Sequence, residues 1–165
     1  MKTLLVLRHA KAQPDAPAGD WARNLTDRGR RNASTMGDVI ETLFGRPDAI
    51  VSSDAHRARQ TAELAAEAIG FDEPVVLEHG IYTADLPDLI DVVKALPESA
   101  KTVVVVGHNP GFEVLAADLT GIDASEIRLP TAGLAHLELA IERWSDAGAG
   151  CGRLLAVRTP KDHAS

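Results

Sequence analysis

Short apolar runs alternate along the chain with longer stretches in which apolar residues recur at helical spacing. Leu4–Leu7 is wholly apolar and ends in polar residues, the pattern of a strand buried on both faces. Thr102–Gly107 is the clearest strand, because its four consecutive valines are β-branched and favour an interior position. Ala49–Ser52 and Pro74–Leu77 are weaker strand candidates. Leu134–Ile141 alternates apolar and polar residues, and Arg153–Val157 supplies a last strand.

Helices are expected between these runs. Thr26–Phe44 places Ala33, Met36, Val39, Ile40 and Leu43 at helical intervals, and Gly45 and Pro47 stop it. Ala55–Ile69 is alanine-rich and ends at Gly70, a residue suited to closing a helix. Leu86–Leu96 carries Leu89, Ile90, Val93 and Leu96 on one face, between Pro87 near its start and Pro97 after its end. A fourth, shorter helix begins near Gly111.

Strands alternating with helices predict an α/β fold: a three-layer sandwich whose central sheet is mostly parallel, with helices on both faces. Residues 1–165 fit one domain of this kind. Ligands of such sheets bind beyond the carboxyl ends of the strands, so the residues just after each apolar run are the ones to inspect. Asp15–Asp20 and Ala147–Gly152 read as loops, the first of them flexible and near that edge, and Pro160–Ser165 as a frayed tail.

Composition narrows the function. A formal net charge of -7 argues against non-specific binding to nucleic acid or to an anionic membrane surface. The single cysteine, Cys151, excludes an intramolecular disulfide, and the cysteine-phosphatase spacing Cys-x5-Arg fails because the sixth residue after it is Val157. No signal-peptide core or membrane-spanning apolar run is visible, so a cytoplasmic protein is expected.

Three groups fall at predicted strand ends. They are Arg8-His9-Ala10, then Ser53-Asp54 running on to Arg57-Ala58 and Gln60-Thr61, and finally Gly107-His108. Arginine presents a rigid fork of donors that matches phosphate oxygens and stays protonated at physiological pH. A neutral imidazole nitrogen can attack phosphorus and divide one difficult transfer into two easier ones. Phosphoryl transfer needs positioning and neutralised oxygens above all. A site gathering Arg8, His9, Arg57 and His108 meets those needs, and the helix starting near Ala55 would add backbone donors.

Arg8-His9-Ala10 resembles the Arg-His-Gly signature of the histidine phosphatase superfamily, the phosphoglycerate mutase-like fold. The other two groups match its second and third blocks in order and spacing, and Leu25-Thr26 with Gly29 looks most like the SixA-type phosphohistidine phosphatases. The resemblance covers nearly the whole chain. It implies that His9 is the nucleophile, that Arg8 and Arg57 bind phosphate, and that His108 holds the transferring group. Ala10 replaces the commoner glycine and adds one methyl group, which should tighten the backbone without loss of activity. The superfamily's general acid is harder to place. Glu78 after the third strand is the first choice, with His79, Asp54 or a loop aspartate as alternatives.

The expected function is therefore a metal-independent phosphatase acting through a phosphohistidine intermediate, with phosphohistidine in a protein partner as substrate. The alternatives are a phosphomonoesterase for a small phosphorylated metabolite, such as a sugar phosphate or nucleotide, and a non-catalytic phosphate-binding module. No cofactor is expected. Paired His-x-x-x-His or Cys-x-x-Cys spacing is missing from the sequence, and two arginines in the cluster would repel a cation.

Overall fold

In the computed structural model, which describes residues 1–163, β1 (Lys2–Arg8) and β4 (Thr102–Gly107) lie side by side at the centre of a six-stranded sheet. β2 (Ala49–Ser52) and β3 (Val76–Leu77) extend one side of the sheet, and β5 (Leu134–Leu139) and β6 (Gly152–Arg158) the other, in the order β3-β2-β4-β1-β5-β6. The first four strands are mutually parallel, whereas β5 runs antiparallel to both β1 and β6. The expected three-layer, mostly parallel architecture is what forms.

Successive residues of a strand point to opposite faces, and β1 shows how each face is filled. Leu5 and Leu7 pack with Ala33, Met36 and Ile40 of α1 (Asp27–Phe44) and with Ala58 and Ala62 of α2 (His56–Ile69). Leu4 and Val6 face the other way, toward Leu89 and Val93 of α3 (Leu86–Lys94) and Phe112 and Leu115 of α4 (Gly111–Thr120). A β-carbon on Gly37 would stand 2.5 Å from the Ala65 carbonyl oxygen, so only glycine lets α1 and α2 approach this closely.

Most expected boundaries hold to within two residues, and the differences have local causes. Thr26 and Ala55 cap their helices instead of joining them. α3 stops at Lys94, two residues before Leu96. β3 is only two residues long and exposed, because it lies at the sheet edge and pairs on one side alone. β5 ends at Leu139, short of Ile141. Pro160–His163 forms a 3-10 turn in place of a frayed tail, and the rest of that tail, Ala164 and Ser165, lies outside the described residues. No helix among the described residues is long and apolar enough to cross a membrane.

Candidate active site

β2, β4 and β1 are neighbours and parallel, so their carboxyl ends emerge together. Arg8 stands opposite Gly107, and Ser52 opposite Val106. Pairing continues past the strands: the His9 amide donates to the Gly107 carbonyl and the Ser53 amide to the Val106 carbonyl, both at 2.9 Å. The three sequence groups are thereby fixed on one edge of the sheet.

His9 is buried, and its Nδ1 lies 2.8 Å from the Ala10 carbonyl oxygen. A carbonyl only accepts, so Nδ1 carries the proton and Nε2 keeps its lone pair. Burial drives the His9 pKa down to about 4, outweighing the Ala10 hydrogen bond, and the charges of Arg57, Arg8 and Arg23 push the same way. The ring is neutral at physiological pH. Ala10 donates its amide to Thr61 Oγ1 at 3.0 Å, and that hydroxyl donates to the Arg57 carbonyl at 2.7 Å. One threonine thus ties the segment carrying His9 to the first turn of α2.

His108 stands beside His9, with ring centroids 5.3 Å apart and planes inclined at 54°. Its Nε2 is 2.9 Å from Ser53 Oγ, which also accepts the Ala55 amide at 3.2 Å. With the Ala55 amide on one lone pair of the oxygen, the Ser53 hydroxyl can donate to His108 Nε2, and the ring proton then lies on Nδ1. Burial again dominates the acidity: the His108 pKa falls to about 3, helped by His9 and Arg57. Arg8 donates from Nη1 to the Leu129 carbonyl at 3.0 Å. Arg8 Nε, Arg57 Nε and His108 Nδ1 are all buried without a partner among the described residues. Buried donors are costly to leave unmet.

Sequence reasoning kept a loop aspartate open as the general acid but missed the tie between Asp20 and Arg57. Arg57 donates from Nη1 to the Asp20 carbonyl at 2.9 Å and from Nη2 to its carboxylate at 3.1 Å. Tyr82 donates its hydroxyl to the same carboxylate at 2.6 Å, and Arg23 donates from Nε at 3.0 Å. The Tyr82 hydrogen bond, with Arg57 and Arg23, holds the Asp20 carboxyl down at about 2. The loop expected to be flexible is tied to the site at this residue and turns there into a 3-10 segment, Asp20–Ala22. Nothing in the spacing of a Pro- and Ala-rich loop signals that tie.

A second layer forms the rim. Asp54 accepts from His79 Nδ1 at 2.9 Å and from Trp21 Nε1 at 3.2 Å, and Trp21 packs on the ring of His56. Burial would raise the Asp54 pKa, but the His79 and Trp21 hydrogen bonds outweigh it and the net shift is downward. A cavity of about 340 Å³ opens beside His108, lined by Tyr82, Leu86, Leu89 and Asn109 among others. The structure brings Arg8, His9, Arg57 and His108 together. It leaves Glu78 on an exposed turn, where its carboxylate accepts the Gly80 amide at 3.1 Å and makes no contact with either histidine among the described residues.

Comparison with known proteins bears on the family and the fold. An uncharacterized protein of Mycobacterium tuberculosis, Rv1276c, is 34% identical over 164 residues, spanning 94% of this chain and 100% of the relative. A structure from Nakamurella multipartitia, provisionally named the phosphohistidine phosphatase SixA, superposes with a TM-score of 0.81 at 30% identity, covering 96% of each chain. The protein histidine phosphatase SixA bound to tungstate superposes with a TM-score of 0.85 over 98% of this chain and 99% of that one, and at 22% identity it bears on the fold alone. Residues 4–89, which include Arg8, His9 and Arg57, match the histidine phosphatase superfamily (branch 1), and the chain belongs to that superfamily.

Proposed function

We propose that this chain is a phosphatase in which His9 takes up the phosphoryl group, and that its substrate is phosphohistidine in a partner protein. The observation that carries the reading is the state of His9: buried, neutral, fixed by Ala10 through Nδ1, and flanked by Arg8, Arg57 and His108. The free Nε2 attacks phosphorus. A P–N bond forms to His9 as the bond to the leaving group breaks, and water then cleaves the phosphoenzyme to release inorganic phosphate. Arg8 and Arg57 neutralise the equatorial oxygens, and His108 donates from Nδ1 to the transferring group.

Proton supply favours phosphohistidine over an alkyl ester. Asp20 and Asp54 both hold their protons less tightly than an ordinary aspartate, so neither is a carboxylic acid near neutrality. A phosphohistidine protonated on its other ring nitrogen departs as neutral imidazole, which is far less basic than an alkoxide and needs no acid from the enzyme. Glu78 takes no part in this reading. The cavity beside His108 supports a second reading, a small phosphomonoester whose leaving group fills that space.

The test is phosphate release in EDTA from a phosphohistidine peptide and from a panel of phosphate esters, by the wild type and by His9→Ala. Turnover that is fastest on the peptide and lost in the variant supports the proposal. Turnover on esters alone favours the metabolite reading. Equal rates in both proteins would remove His9 from the mechanism.

A further inference from the structure

Two strands away from His9, on the same edge of the sheet, a pocket of about 460 Å³ is lined by Lys11, Arg28 and Lys161 together with polar and proline side chains. Among the described residues, no carboxylate lines it. That is unexpected in a chain with a net charge of -7. Among the described residues, none of these three cations forms an ion pair. The nearby acid of the C-terminal turn, Asp162, is engaged within that turn, accepting from the amide and hydroxyl of Thr159 at 3.1 and 2.9 Å.

The local charge is not what folding asks for. α1 opens with Asp27 followed by Arg28, Arg30 and Arg31, and basic side chains there oppose the helix dipole. The helix end is already capped by Thr26, whose hydroxyl accepts the Gly29 amide at 3.0 Å. Placing positive charge against the dipole, around a concave surface and without partners, gains nothing for the fold and suits an external anion.

The pocket is coupled to the reaction centre by the backbone. Lys11 is two residues from His9, and the amide of Ala132, next to Thr131 of the pocket wall, donates to the His9 carbonyl at 3.0 Å. Leu7 pairs with Leu134 and Leu134 with Arg158, so the segments carrying Thr131 and Lys161 leave the sheet on the edge that carries His9. Two strand spacings amount to roughly 10 Å, about the reach of three extended residues.

We propose that this pocket binds a carboxylate-bearing segment of the phosphorylated partner, a few residues from the phosphohistidine held at His9. The partner's identity as a phosphoprotein rests on the function proposed above, whereas the affinity of the pocket for an acidic chain does not. On an enzyme that otherwise repels acidic surfaces, one basic pocket beside the site both selects such a partner and sets its orientation.

The experiment separates the two. Wild-type protein, amide-labelled with nitrogen-15, is titrated at low salt with unphosphorylated hexaglutamate, with hexalysine and with inorganic pyrophosphate. Hexaglutamate is expected to shift the amides of Lys11, Arg28, Thr131 and Lys161, and hexalysine to leave them unmoved. In the double variant Arg28→Ala/Lys161→Ala the Kd should rise by about fivefold or more, with an unchanged Tm. The same variant should keep its kcat/KM on a small aryl phosphate while its KM for an acidic phosphohistidine peptide rises relative to a neutral one. Shifts elsewhere, or equal Kd in both proteins, would overturn the assignment. Pyrophosphate binding without hexaglutamate binding would make this a site for small polyanions and reject the protein segment. A wild type with no turnover on any phosphohistidine peptide would count against the function and leave the titration to decide the pocket.

Discussion

The guanidinium of Arg57 is held at both Nη atoms by Asp20, through the backbone carbonyl at 2.9 Å and the carboxylate at 3.1 Å. The arginine proposed to bind phosphate therefore already has an anion on it. The carboxylate orients the fork, and it also sets a negative charge close to where a phosphate dianion must sit. Asp20→Asn keeps a hydrogen-bonding oxygen and removes the charge. We expect inhibition by inorganic phosphate to tighten by roughly three- to tenfold in the variant, the scale of one like-charge contact in a partly solvated site. An inhibition constant equal to that of the wild type would mean that Asp20 moves away when phosphate binds.

The two site histidines predict an unusual response to acid. Burial holds His9 at about 4 and His108 at about 3, against 6.5 for the free side chain. Between those values the unfolded chain binds more protons than the folded one, so stability is full above pH 6.5 and falls as the pH drops through the window. Each unit of displacement corresponds to about 1.4 kcal/mol, so His9 alone accounts for a loss on the order of 3 kcal/mol by pH 4. Urea unfolding at pH 7 and pH 4.5 measures this, and His9→Ala should lose less stability between the two. NMR titration of the imidazole carbons should find both rings neutral well below pH 6.5. A midpoint near 6.5 for His9 would show that its surroundings do not exclude charge, and the neutral-nucleophile argument would go with it.

How much of this was readable in the residues depends on how far apart the interacting partners lie. The valine strand, the end of α1 at Phe44 and the grouping of Arg8, His9, Arg57 and His108 follow from local pattern and from the rule that sites form at strand ends. The contacts that tune the site are different. Arg57 meets Asp20 across 37 positions, His108 meets Ser53 across 55, and His79 meets Asp54 across 25. No periodicity encodes those separations. Asp20 sits in a loop whose composition signals only the lack of regular structure, and Glu78 looked useful because it follows a strand, whereas that strand is an exposed two-residue edge.

Gly29 links the fold to the site more directly. A β-carbon there would overlap the Lys11 carbonyl oxygen, which already accepts the Thr26 amide at 2.9 Å. Gly29→Ala must push the first turn of α1 away from the segment two residues beyond His9. We expect a loss of about 1–3 kcal/mol, as for other overpacked positions, seen as a Tm lowered by roughly 3–10 °C. We also expect a fall in kcat, because misplacing a nucleophile slightly is expensive in rate. An unchanged Tm would show that the turn yields without strain.

Ser53 and His108 offer the sharpest test of how the transferring group is held. Ser53 is buried, and its oxygen serves both the Ala55 amide and His108 Nε2. If that contact fixes the proton on His108 Nδ1, then the effect of Ser53→Ala on the transferring group passes through His108, while the lost acceptor for the Ala55 amide is read in the Tm. The serine variant should lose about tenfold in kcat/KM, the worth of one hydrogen bond to a group in the reacting cluster. His108→Ala should lose more. The double variant should be no slower than His108→Ala alone, since the serine then has no ring to orient. Losses that multiply would mean that Ser53 and His108 act independently, and the donor on the transferring phosphoryl group would have to be sought elsewhere.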